Sequence, residues 1–173
     1  MKSRLSQFLA PLIPALLPLL LGILYISAFP SYDTELERTE YIQSEYLGAE
    51  IISQQNFPKY IICEFRSDEG IGYCLFQKIL GRWQYDHSVV TEESIAVGDF
   101  YMGDTFHHAL VTSIDNANSV TITYVNITSG EIVREETIET NGQTMFVVPA
   151  AKDNHEIYSI AFFDASGQPI PYQ

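Results

Sequence analysis

The sequence predicts a mainly β protein, in which an antiparallel β-sandwich of Ig-like type follows an N-terminal apolar segment and one amphipathic helix. Three observations carry this. From Lys59 onward, short runs rich in Ile, Val, Thr, Tyr and Phe recur at spacings of about ten residues. Clusters of Gly, Asn, Asp and Ser separate them. Residues 1–30 hold two basic residues and no acidic one, unlike everything that follows. With 173 residues, 46% of them hydrophobic and 18% charged, the chain is long enough for one proper core and too apolar for disorder.

The first element is the apolar segment. Lys2 and Arg4 precede it, and residues 5–32 carry no Asp, Glu, Lys or Arg. A helix over residues 8–29, at about 1.5 Å per residue, would extend about 33 Å, the thickness of a bilayer's hydrocarbon core. Basic residues before the segment and Asp33, Glu35 and Glu37 after it place the N-terminus in the cytoplasm and the remainder outside. Two readings follow: a retained single-pass signal-anchor, or a signal peptide cleaved after Ala28 that leaves a secreted protein. The run exceeds the roughly 7–15 residues of a signal-peptide core, which favours the anchor. Pro11, Pro14 and Pro18 count against a straight helix. Either way residues 33–173 are exported. The expected organisation is a signal-anchor over 1–30, a helix and linker over 31–57, and an extracytoplasmic β domain over 58–173.

Next comes the helix. Within residues 33–54, Leu36, Ile42, Tyr46, Leu47 and Ile51 fit one helical face. Asp33 or Thr34 supplies the cap, Glu35 and Glu37 sit in the first turn, and Asn56-Phe57-Pro58 ends the segment. A helix of about 15–20 residues is expected. The strands follow at 59–66, 72–79, 95–101, 109–114, 119–125, 131–139, 144–148 and 157–163, with turns that include Asp68-Glu69-Gly70, Gly81, Thr128-Ser129-Gly130, Asn141-Gly142 and Ala165-Ser166-Gly167.

Charge narrows the function. Nine basic residues against 22 acidic ones give −13, and 7 of the basic residues lie in the exported part with all of the acids. Nucleic acid is excluded as a partner by repulsion. No phosphate loop, calcium loop, His-Glu-x-x-His or nucleophile elbow occurs, so no cofactor is expected. Pairing Arg66 with Ile71 in the turn around Asp68-Glu69 brings Cys63 opposite Cys74. That register suits either a cross-strand disulfide or two buried thiols, and the bridge is the expectation outside the cell. Asp104, His107 and His108 resemble a metal cluster only loosely, because neighbouring histidines on a strand face opposite ways. Asn126-Ile127-Thr128 reads as turn chemistry, and Trp83 as core filling.

The FPKYIICEF…GIGYCLFQKILGRW hairpin and the closing IYSIAFFDASGQPI, with Gly81-Arg82-Trp83 and Asp164-Ala165-Ser166-Gly167 as their markers, resemble a loose class of small, largely uncharacterised exported β-sandwich proteins of Gram-positive bacteria. The resemblance implies fold and location and no catalytic residue. The expected function is an extracytoplasmic, membrane-tethered binding or accessory domain. Polar, acidic loops around Asp99–His108 and Ala151–His155 suit a basic protein or cell-envelope partner. The alternatives are a metal-assisted cell-envelope hydrolase using Asp104, His107 or His108, and a structural envelope component.

Overall fold

The computed structural model describes residues 12–102, 104–150 and 155–172. Helix α1 runs over Leu12–Ala28 with Pro18 inside it. Its 17 residues are uninterrupted by charge, and among the described residues no helix is long and apolar enough to cross a membrane. The expected span over residues 8–29 begins at residues 8–11, which lie outside the described residues.

Helix α2, Glu35–Glu45, starts as its sequence dictates. The Glu37 N–H donates to Thr34 Oγ1 (3.2 Å) and the Thr34 N–H donates to Glu37 Oε2 (2.7 Å), a reciprocal cap that satisfies two helix-end donors. The helix stops after 11 residues, short of the expected 15–20, at an extended Tyr46. Gly48 then takes φ +71°, and a Cβ there would stand 2.7 Å from Asp68 Oδ1. What the apolar spacing suggested was the end of a helix is strand β1, Glu50–Asn56. Sheet pairing therefore begins inside the segment expected to be helix and linker.

The remaining strands are β2 (Tyr60–Ser67), β3 (Gly70–Ile79), β4 (Arg82–Thr91), β5 (Ile95–Met102), β6 (Thr105–Thr112), β7 (Ser119–Asn126), β8 (Ile132–Glu139), β9 (Met145–Pro149), β10 (His155–Phe163) and β11 (Pro169–Ile170). The protein is mainly β and all described pairings are antiparallel. The strands divide into three sheets, where an Ig-like sandwich has two: β1-β2-β3-β4, β5-β6-β9 and β11-β10-β7-β8. We call these sheets A, B and C.

Burial shows how they stack. Ile42 of α2 packs with Ile61, Cys63, Phe65, Cys74 and Phe76 on one face of sheet A. The opposite face, with Ile62, Tyr73 and Leu75, meets Ala96, Phe100, Ala109 and Val111 of sheet B. The other side of sheet B, with Leu110, Phe146 and Val148, meets Val120, Ile122, Tyr124 and Phe162 of sheet C. Strands β2, β3 and β6 are covered on both faces, which is why they read as continuous apolar runs and not as alternating ones. At the tightest approach, a Cβ on Gly98 of β5 would lie 1.9 Å from Tyr73 Oη, so only a glycine admits that ring.

The β2–β3 register is Arg66 to Ile71 and Cys63 to Cys74, as the turn implies. The expected Cys63–Cys74 disulfide is nevertheless corrected: both are buried free thiols. Cys63 Sγ lies 3.5 Å from Gln54 Oε1 on β1 and donates to that amide oxygen across the sheet. Burial pushes the Cys63 thiol up to about 11 and raises Cys74 as well, so neither supplies the thiolate that exchange chemistry needs. Trp83 is half-buried against the helix-side cluster, with Lys78 Nζ 5.3 Å from its ring centroid.

Candidate functional site

The β5–β6 hairpin pairs Asp99 with His108, Phe100 with His107 and Met102 with Thr105. Strand alternation then separates the three residues singled out in the sequence. Asp104 is exposed in the turn. His107 faces the sheet A side, stacked on Phe100 at 5.7 Å, and its Nδ1 lies 3.0 Å from the Thr105 carbonyl. His108 faces sheet C. They do not converge, and among the described residues no three His, Cys, Asp or Glu side chains are arranged to hold a metal ion.

What the structure brings together instead is Asp99 and His108. His108 is 5% exposed, and its Nδ1 lies 2.6 Å from Asp99 Oδ1, whose carboxylate opens toward solvent. A carboxylate only accepts, so Nδ1 carries the proton and Nε2 of a neutral ring is left as an acceptor. That Nε2 is buried without a hydrogen-bond partner, and so are Tyr124 Oη and His155 Nδ1. The register puts all three on one end of the layer between sheets B and C, since His108 follows the parity of Leu110, and His155 that of Ile157. Tyr124 lies 5.9 Å from the His108 ring on one side and has the Arg134 guanidinium 5.5 Å from its centroid. Arg134 Nη2 donates to Glu136 Oε2 at 2.5 Å.

This arrangement positions a polar end to an apolar layer more readily than it performs chemistry. Burial, then the nearby Glu136 charge, raises the Tyr124 phenol, which keeps its proton at neutral pH. Sequence reasoning singled out His108 and took Asp99 only as the start of a polar loop, whereas the two lie on paired strands, β5 and β6. The usable signal was the hairpin itself, because the β5–β6 pairing, which runs to Met102 opposite Thr105, fixes which residue faces which. Tyr124 and Arg134 come from other strands and left no local trace, and His155, which read as the end of a polar loop whose residues 151–154 lie outside the described residues, opens β10.

A second polar assembly ties the chain leaving α1 to the β domain. The Tyr32 N–H donates to the Trp83 carbonyl (2.7 Å), and the Trp83 N–H donates back to Asp33 Oδ1 (2.9 Å). Arg82 Nε donates to Asp33 Oδ2 (3.3 Å) and Arg82 also reaches Ser31 Oγ. Arg38, 5% exposed, donates to the Tyr32 carbonyl (2.8 Å) and to Gln54 Oε1 (3.3 Å). The Trp83 N–H, with Arg82 adding to it, holds the Asp33 carboxyl below the usual carboxylate range. The two sequence markers of the resemblance are thus structural. Gly81-Arg82-Trp83 anchors this junction, and Asp164 Oδ1 accepts from Ser166 Oγ, Ser166 N and Gln168 N to build a turn. Asn126 Oδ1 does the same for Thr128 N and Ser129 N.

No known protein family, curated protein or solved structure matches the chain.

Proposed function

We propose that the chain is a membrane-tethered binding or accessory module: residues 8–29 enter a bilayer, with the N-terminus cytoplasmic, and the stacked β-sandwich layers stand outside. The single observation that carries this reading is the apolar, exposed surface of α1. Leu16, Leu17, Leu19, Leu20, Leu21 and Ile23 are each between 46% and 60% exposed. Consecutive positions point round the whole circumference, and a helix that is apolar on every side is stable only inside an apolar medium or a partner. The Lys2/Arg4 to Asp33/Glu35/Glu37 asymmetry supplies the orientation. The likeness to small exported Gram-positive proteins agrees with it.

Binding suits the β domain better than catalysis because the dyad of Asp99 and His108 has no nucleophile hydrogen-bonded to it, and Asp104, His107 and His108 lie apart. The acid excess of the exported part favours a basic protein or envelope partner. Protease added to intact protoplasts should remove the β domain and leave a membrane-retained N-terminal fragment. A protected domain overturns the orientation, and a mature N-terminus at Phe29 overturns the tether in favour of secretion. Capture of a basic partner should weaken as salt rises from about 0.05 to 0.5 M, since screening shortens to a few ångströms over that range.

A further inference from the structure

Where the chain leaves α1 and turns onto the β domain, an open notch of about 390 Å³ is lined by Ser31, Tyr32, Glu37, Glu40, Tyr41 and Ser44. One wall is aromatic. The Tyr32 and Tyr41 rings lie 4.7 Å apart, tilted by 49°, and are backed by Phe76 at 5.5 Å from Tyr32 and Tyr85 at 5.0 Å from Tyr41. The helix face that carries Tyr41 is also anionic. Glu37 is held ionised by the hydrogen bonds it accepts from Thr34, and Glu40 is exposed three residues further along the same helix. The two nearest arginines are engaged elsewhere, Arg38 with the Tyr32 and Asp33 carbonyls and Arg82 with Asp33.

We propose that this notch binds an alkylammonium group, seated on the Tyr32–Tyr41 pair with the Glu37 and Glu40 carboxylates beside it. Aromatic faces attract cations through the ring quadrupole, most usefully when the cation is bulky and weakly hydrated, and this is the chemistry by which quaternary ammonium ligands are recognised. The two carboxylates reinforce the attraction and exclude anions. The notch, of about 390 Å³, is shallow and open, so a choline-sized group would rest on it with one side in solvent. The source is either a lipid headgroup or a soluble amine, since the notch opens a few residues beyond the end of α1. The inference adds a site to the binding reading without resting on the tether: protease accessibility tests the one and ligand titration the other, so either fails alone.

The test uses the full chain in maltoside micelles with ring-labelled tyrosines followed by NMR. Choline should move the Tyr32 and Tyr41 signals along one saturable curve with a dissociation constant of about 1–10 mM. Its uncharged isostere 3,3-dimethyl-1-butanol should not move them. Glu40→Gln should weaken choline binding about two- to fivefold, the range for one exposed charge contact. Because Tyr41 also packs on Phe76, Tyr41→Leu serves only alongside Glu40→Gln, whose side chain is exposed. Reconstitution separates the sources. In phosphatidylcholine vesicles a headgroup ligand places the signals at their bound positions before choline is added, whereas a soluble ligand titrates alike in phosphatidylcholine and phosphatidylglycerol. No saturable shift, an equal response to the uncharged isostere, or an unchanged constant in Glu40→Gln overturns the proposal.

Discussion

Leu80 and Gly98 show the same backbone and packing physics with opposite signs. Leu80 sits at φ 50° beside Gly81 at φ 86°, the two left-handed positions of a tight hairpin between Ile79 and Arg82. A leucine there strains its Cβ against the backbone, and its side chain is exposed and contributes little in return. Leu80→Asn should therefore raise stability by about 0.5–1 kcal/mol in thermal melts; a fall would show that the leucine packs. Gly98→Ala should cost about 2–3 kcal/mol through overpacking against Tyr73, and Tyr73→Phe should recover part of it in the double variant. Cys63 and Cys74 should resist Ellman's reagent in the native protein and react as two thiols once unfolded, given their burial. One thiol or none after unfolding without reductant would contradict the free state. At this scale, strand alternation in the sequence parts His107 from His108, whereas the Asp99 partner follows only from the hairpin register. The cysteine register was legible too, but the direction of a sulfur within its rotamer was not.

Among the elements, α2 announced its start and hid its end. Thr34-x-x-Glu37 is a start signal written in side chains that bond their own backbone, and Thr34→Ala should cost about 1 kcal/mol by denaturant melt. Its end depends on Gly48 meeting Asp68, a contact between segments twenty residues apart, so an apolar spacing that suits a helix was carried into β1. Strand β4 went unread for a different reason. RWQYDHSVVT is polar because it forms an edge and carries an irregularity against β3 between Leu75 and Phe76, which blurs its alternation. The junction between β4 and the segment before α2 also sets a pH limit. Asp33 has its folded-state carboxyl depressed below the ordinary 3.8, so its contribution is fully present above that value and is lost as pH falls from there through the lower folded-state value. Asp33→Asn should lower stability at pH 7 and reduce the loss on acidification to pH 3; an unchanged acid limb would mean the Trp83 N–H bond carries no linkage.

For the whole molecule, strand spacing made the β class legible, yet the division into three sheets was not, because it depends on which strands pair and not on where they lie. A segment covered on both faces resembles one covered on a single face when both are short and apolar. The clearest case is β9. It returns to β6 only after β7 and β8 have formed a hairpin in sheet C, so sheet B has its middle strand bare along one side until residue 149 has been synthesised. Completion of the core is consequently a late event in biosynthesis. A chain truncated at Asn141 would expose the apolar edge of β6 as a template for intermolecular pairing. The order in which the ribosome delivers the strands thus leaves sheet B open along β6 until late in synthesis, and a nascent chain held at that stage presents a free edge that a chaperone would have to cover.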